Sequence, residues 1–312
     1  MTVTGPLPAE EMGVTDAHDH LYLRSPLLGG EEIDDPAVIE AETRDGARSG
    51  IATIVELTPI GLGRQPAALR ALSEKTGVNV IAATGYHRDA HYPAGHWVLT
   101  ATDDLLLARM TADLADGMHP TDWSDTGLPP DPARAGVIKS GASLNEITAA
   151  ERRRLIAAAE AAKGAGVAVV VHCEAATMGE EIADLLLGEG LPAGQVVLAH
   201  MDRDPDPHRH GALLARGVFL VYDTIGRSQY HPDMVRLDLI EAVCAAGRSG
   251  QLLLGLDLGK RSYLGVEGGH GLRYLMDGFV PRLTDRVGAV MARRILVDNA
   301  AAAFALRIPV GA

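Results

Sequence analysis

Two histidines separated by one residue, His18 and His20 in GVTDAHDHLYL, stand where an apolar run reads as the end of a strand. Residues two apart on a strand project to the same face. Both imidazoles can therefore reach one point, and imidazole is the commonest side-chain ligand for metals. The pattern recurs downstream: Lys139 sits near the end of AGVIKS, His172 near the end of VAVVVHCE, His200 at the end of QVVLAH and Asp257 at the end of QLLLGLD. A charged or polar group in such a place is costly to bury without a partner. Taken singly, each reads equally well as a strand-end side chain bonding a carbonyl or emerging to solvent. Six in matching positions point to one shared metal site. Nitrogen and carboxylate donors suit zinc, manganese, cobalt or iron(II). Lys139 is the misfit, because an ammonium repels a cation.

The elements that must position these residues follow from hydrophobic patterning. Apolar runs over 51–58, 79–87, 135–140, 167–174, 195–200, 217–223 and 251–257, with the one ending at His20, make eight strands. Several are apolar throughout, as expected when both faces of a parallel sheet are covered. Helix signals fill the gaps. Asp35-Pro36 opens one helix and Gly50 closes it; Thr148 with Glu151 and Thr177 with Glu180 read as capping boxes; His231-Pro232-Asp233 opens another, stopped by Gly247. This β-α order predicts an α/β fold, a (β/α)8 TIM barrel in a single domain over 1–312, with a short N-terminal β-hairpin over 1–15. An open doubly wound sheet is the alternative. In such barrels the catalytic groups project from the C-terminal ends of the strands, where the six residues lie. Residues 119–134 read as a proline-rich loop within the third crossover.

Composition narrows the function classes. The chain has 312 residues and a formal net charge of -13, without a basic run, so nucleic acid and anionic membranes are not expected partners. No apolar stretch approaches a membrane span, and the N-terminus lacks a signal-peptide pattern, so a cytoplasmic location is expected. Cys173 and Cys244 form no disulfide framework. No GxGxxG follows an early strand and no GxxxxGK[ST] occurs, so no nucleotide cofactor has an anchor.

The segments MGVTDAHDHL, VIKSGAS, VHCEA, LAHMDRDPD, VYDTIGRSQYHPD, LLGLD and ILVDNAAAAF, in this order, resemble the phosphotriesterase family of the amidohydrolase superfamily nearly end to end. The resemblance implies two divalent metal ions per chain, zinc first among the candidates with manganese, cobalt and iron as the others. It implies that CO2 carboxylates Lys139 to a carbamate bridging the ions, with His18, His20 and Asp257 on one and His172 and His200 on the other. The carbamate would remove the lysine misfit. Three departures stand out: Asp19 replaces a usual glutamate and is expected to face away from the metals, Asn299-Ala300 replaces Asn-Pro, and Gly255-Leu256-Asp257 replaces Ser-His-Asp. The last removes a partner of Asp257 and opens the question of its proton route.

The expected mechanism is attack by a metal-bridging hydroxide on a carbonyl or phosphoryl centre, with Asp257 as the catalytic group that orients it and takes its proton. The resemblance implies a lactone or other ester substrate, with organophosphates as a side activity and homodimers as a common assembly. Hydrolysis of phosphorylated lactones or amides is the nearest alternative; a catalytically silent ligand-binding barrel is the alternative from another class. Tyr86 is at a position where lactone-hydrolysing relatives carry a tyrosine near the metals. Tyr86, Arg88, Arg227, Lys260 and Arg261 are the substrate-binding candidates, the cations suiting an anionic substrate or serving as surface ion-pair partners. His87, His91 and His96 crowd one loop at spacings that do not favour an extra metal. Asp202, Arg203 and Asp206 read as one structural ion-pair cluster, and Cys173 as packing behind the site.

Overall fold

The computed structural model describes residues 1–120 and 129–307. Eight parallel strands pair in sequence order: β1 Thr15–Asp19, β2 Thr53–Glu56, β3 Asn79–Gly85, β4 Val137–Ala142, β5 Ala168–Cys173, β6 Val196–Ala199, β7 Phe219–Tyr222 and β8 Leu252–Leu254. The crossovers carry α1 Pro36–Ser49, α2 Pro66–Thr76, α3 Asp103–Ala115, α4 Ala149–Ala165, α5 Gly179–Gly188, α6 Pro207–Ala215 and α7 Asp233–Ala245, and α8 Val280–Val287 follows β8. The sheet closes on itself where the amides of Leu256 and Asp257 donate to the His18 carbonyl at 3.2 and 2.8 Å. A Cβ on Gly255 would lie 2.8 Å from the His18 nitrogen, so this approach of β8 to β1 demands glycine. The barrel is a single (β/α)8 domain, and no described helix is long and apolar enough to cross a membrane.

Strand side chains divide between two packed clusters. Val55, Ile81, Ala83, Val137, Val170, Val197, Val221 and Leu253 fill the barrel, with Met12 and Phe304 in the same cluster. Their neighbours Ile54, Val80, Ala82, Ile138, Val169, Leu198, Leu220 and Leu252 pack outward with helix residues such as Ile39, Leu69 and Leu155. This alternation sets which strand-end residues face the barrel axis.

Most expected helix ends are built as their residues dictate. The Asp35 carboxylate accepts from the Ala37 and Val38 amides, and Gly50 adopts a left-handed C-cap. Thr148 and Glu151 form the reciprocal capping box. The Thr177–Glu180 pair does not: the Thr177 hydroxyl donates to the Glu174 carbonyl at 2.7 Å, Met178 precedes α5 in a left-handed conformation, and Glu180 bonds Arg209 instead. The N-terminal hairpin is reduced to one bridged turn, Thr2–Gly5, followed by a 3-10 turn over Ala9–Glu11. The Asn299 amide donates to the Ser249 and Leu252 carbonyls, anchoring the start of β8. Of the proline-rich loop expected over 119–134, residues 121–128 lie outside the described residues.

Candidate metal centre

Inward parity carries Lys139 two residues beyond Val137, His172 two beyond Val170, Asp223 two beyond Val221 and Asp257 four beyond Leu253. His200 breaks parity, since Ala199 already points inward, but its φ of 64° swings the ring back to the axis. Asp257 is also left-handed, at 47°. Such backbone in non-glycine residues is uncommon and clusters at working sites. His18 and His20 arrive on β1, whose pairing with β2 is irregular between Asp16 and Asp19. Their rings, with those of His172 and His200, line a cavity of about 160 Å³ at the barrel mouth, together with Lys139 and Asp257. A larger cavity, about 460 Å³, has no histidine in its lining.

The inner nitrogens converge. Nε2 of His20 and of His18 lie 3.3 and 3.6 Å from Oδ1 of Asp257, and Lys139 Nζ is 3.1 Å from His18 Nε2. His172 Nδ1 and His200 Nε2 face each other at 2.7 Å. The outer nitrogens are all engaged: His18 and His200 Nδ1 with the two oxygens of Asp223 at 2.7 and 2.8 Å, His20 Nδ1 with the Thr58 hydroxyl at 2.9 Å, and His172 Nε2 with Glu174 at 2.9 Å. A carboxylate only accepts, so Asp223 and Glu174 fix protons on those outer nitrogens. Where both rings are neutral, the facing nitrogens of His172 and His200 are two lone pairs at contact distance, and a cation both can face resolves the conflict. His18, His20 and Asp257 form one group whose ligand atoms lie within 4.8 Å of each other; His18, His200 and Asp223 form a second. Asp223 holds the backs of two imidazoles, so its place is that of an orienting carboxylate. The donor set fits a divalent metal.

Electrostatics favours neutral imidazoles at His18, His20 and His172. Burial, reinforced by Lys139, pulls the pKa of His18 down to about 3, and burial likewise holds His172 well below its usual value. Burial lowers Lys139 to about 8, so a fraction of its amine is free base near neutrality. For Asp257 burial pushes upward, but Arg227, donating to Oδ2 at 2.9 Å, and His18 hold the carboxyl well below the ordinary range. Asp223 is held low in the same manner by His200 and His18 against burial. Beside the site, burial raises Asp16 and Glu56 to about 7. Asp19 accepts from the His20 and Leu258 amides. Leu256 is buried in the core, and Asp257 takes Arg227 as its partner.

The remaining candidates separate. Arg227 and Lys260 line the cavity, with Tyr230 and Tyr263. Tyr86 does not: parity turns it outward, where its hydroxyl donates to the Leu106 carbonyl at 3.1 Å and its ring meets Trp97 edge-on. The next residue, His87, faces the cavity in its place, joined by His91. Arg88 points to Glu174 at 2.7 Å, outside the cavity lining, and Arg261 lies on the surface paired to Glu267 at 2.8 Å. The expected Asp202–Arg203–Asp206 cluster is three separate features. Asp202 pairs with buried Arg236, Asp206 caps α6, and Arg203 lines the cavity under the Tyr230 ring. Cys173 is fully buried, its thiol pushed up to about 12 by burial. Sequence reasoning missed Asp223, Thr58 and Glu174. The first two end the apolar runs GVFLVYD and IATIVELT, the same signal that marked the six.

Fold and site define a (β/α)8 barrel protein with a histidine–carboxylate centre at the strand ends. The chain belongs to the phosphotriesterase family, whose profile matches residues 1–304. It is 30% identical over 277 residues to the phosphotriesterase homology protein of Escherichia coli, covering 87% of this chain and 90% of that one. It is 29% identical over 300 residues to the phospho-furanose lactonase of Mycoplasmopsis agalactiae, covering 90% and 84%. The structure of a lactonase from Listeria monocytogenes superposes with a TM-score of 0.90 at 25% identity, covering 98% and 99%. The chain is thus a hydrolase of the phosphotriesterase family, similar to lactonases.

Proposed function

We propose that the chain is a binuclear metal-dependent lactonase whose substrate carries an anionic group. The observation that carries the metal reading is the 2.7 Å approach of His172 Nδ1 to His200 Nε2 while Asp223 and Glu174 occupy their outer nitrogens. His18, His20 and Asp257 would hold one ion and His172 and His200 the other, and Lys139, as a carbamate formed when its free amine adds CO2 and loses a proton, would supply the anionic ligand between the two groups. Zinc suits these donors, with manganese, cobalt and iron as substitutes. Bound divalent ions supply a Lewis acid for the ester carbonyl and lower the pKa of water. Asp257 accepts the proton released in the attack and returns it to the departing alkoxide, and Arg227 keeps its carboxylate oriented and ionised.

The anionic group is supported by Lys260, which lines the cavity and makes no ion pair among the described residues, and by Arg203, which lines it too. The similarity to a phospho-furanose lactonase points to the same chemistry, a sugar lactone phosphate. Organophosphates would be a side activity.

Protein loaded with zinc, manganese or cobalt under bicarbonate should hold about two equivalents and open sugar lactone phosphates faster than uncharged lactones of the same ring. Lys260→Ala should raise KM roughly 10-fold or more for the phosphorylated substrate only, the loss of one charge-assisted contact. Equal KM changes for both substrates would remove the anionic reading. Less than one equivalent of metal, with activity unchanged in Lys139→Ala, would remove the metal-dependent one.

A further inference from the structure

His172 differs from the other three histidines in how its outer nitrogen is held. His18 and His200 share Asp223, which is fully buried, and His20 uses a hydroxyl. His172 leans on Glu174, whose side chain is 26% exposed at the rim of the mouth. The same oxygen, Oε2, accepts from Arg88 Nη2 at 2.7 Å, and Oε1 faces Arg203 Nη1 at 3.5 Å. Arg88 comes from the loop after β3 and Arg203 from the loop after β6, so three loops meet at this carboxylate. The local backbone turns it inward: Ala175, Ala176 and Met178 all have positive φ, and the amide and hydroxyl of Thr177 both donate to the Glu174 carbonyl. The hydroxyl expected to cap α5 is spent on this turn.

We propose that Glu174 is a positioning residue for His172. It holds the imidazole in the tautomer that presents the Nδ1 lone pair to the site, and Arg88 and Arg203 hold Glu174 in place. The inference rests on the binuclear metal reading above. It makes the ion on His172 and His200 the one whose retention depends on the rim, while the ion on His18, His20 and Asp257 is backed by groups deeper in the barrel. It also gives Arg203 two neighbours, Glu174 on one side and the cavity on the other, where its guanidinium lies 4.3 Å from the Tyr230 ring centre.

The test uses the full chain loaded with cobalt(II) chloride under bicarbonate, with Glu174→Gln and Glu174→Ala beside the parent. Glutamine keeps an acceptor oxygen and loses the charge; alanine loses both. Competition with a chelator should show one of two cobalt equivalents bound roughly 10–100-fold more weakly in the alanine variant, the usual range for loss of a partner behind a metal ligand. The glutamine variant should fall between, and the second equivalent should hold as in the parent. The visible cobalt absorption should change by about the share of one ion, which a general loss of folding would not produce. Should alanine fail to fold, the near-isosteric glutamine variant carries the test. Two equivalents held equally tightly by parent and both variants, with the same spectrum, overturn the role of Glu174 and leave the metal centre standing. A parent that binds no cobalt overturns both.

Discussion

Arg227 donates through Nη1 to Asp257 Oδ2 at 2.9 Å, while Oδ1 of the same carboxylate lies 3.3 Å from His20 Nε2. Burial pushes the Asp257 carboxyl upward and Arg227 is the largest influence against it. Arg227→Met removes that influence, so the carboxyl takes up its proton at higher pH. In the metal-free protein the Asp257 midpoint should move up by about one unit or more, the scale set by an opposite charge at this range. Carboxyl titration followed by NMR in the metal-free parent and variant measures it; an unmoved midpoint removes Arg227 from control of Asp257.

Asp223 accepts from His18 and His200 at once. Asp223→Asn offers one acceptor oxygen and turns an amide donor toward an imidazole N–H, so one ring must lose its tautomer or its orientation. Metal affinity should fall roughly 10–100-fold, with about 1–3 kcal/mol lost in stability from the unpaired buried group. Chelator competition and denaturant unfolding of the variant measure the two effects. Parent-like values in both would mean that Asp223 is not the group that aims the rings.

Tyr86 and His87 are adjacent and face opposite sides of the barrel wall. Tyr86→Phe removes one hydrogen bond to the Leu106 carbonyl, worth about 1 kcal/mol, and should leave kcat/KM within about two-fold. His87→Ala alters the cavity wall and should shift KM by a larger factor; it also takes the acceptor from the Arg88 amide, at a cost of about 1–3 kcal/mol in stability. Steady-state kinetics on both, with melting temperatures, decides; the reverse pattern would return Tyr86 to the site.

Glu56 is fully buried and raised from 4.5 to about 7 by burial. A carboxyl raised on folding favours the folded state below its unfolded pKa, and that favour is lost as pH rises through the folded pKa. Between about pH 4.5 and 7 the parent should lose about 3 kcal/mol from this group, the 2.5-unit difference taken at 1.36 kcal/mol per unit. Glu56→Gln cannot ionise, so its unfolding free energy should fall less steeply across the same window. Parallel slopes from urea unfolding at pH 5 and pH 7.5 would remove Glu56 as the source.

The barrel was legible because its signals are local. Apolar runs, capping residues and glycine stops repeat in the β-α order, and His18, His20, Lys139, His172, His200 and Asp257 each mark a strand end by a polar group after an apolar run. What lies behind them was less legible. Asp223 is 205 positions from His18 and Arg227 is 30 from Asp257; only barrel closure makes either pair neighbours. Tyr86 was a candidate by resemblance alone, and β3 is apolar on both faces, so no alternation in its sequence marks the residue as outward. The residue types and their order along the chain thus determined the fold and the ring of ligand candidates by themselves. Tertiary structure decided which nitrogen of each imidazole faces the site, which carboxylate holds it there and which loop cations reach the cavity. Those depend on distances of a few ångströms between loops that carry no periodic pattern.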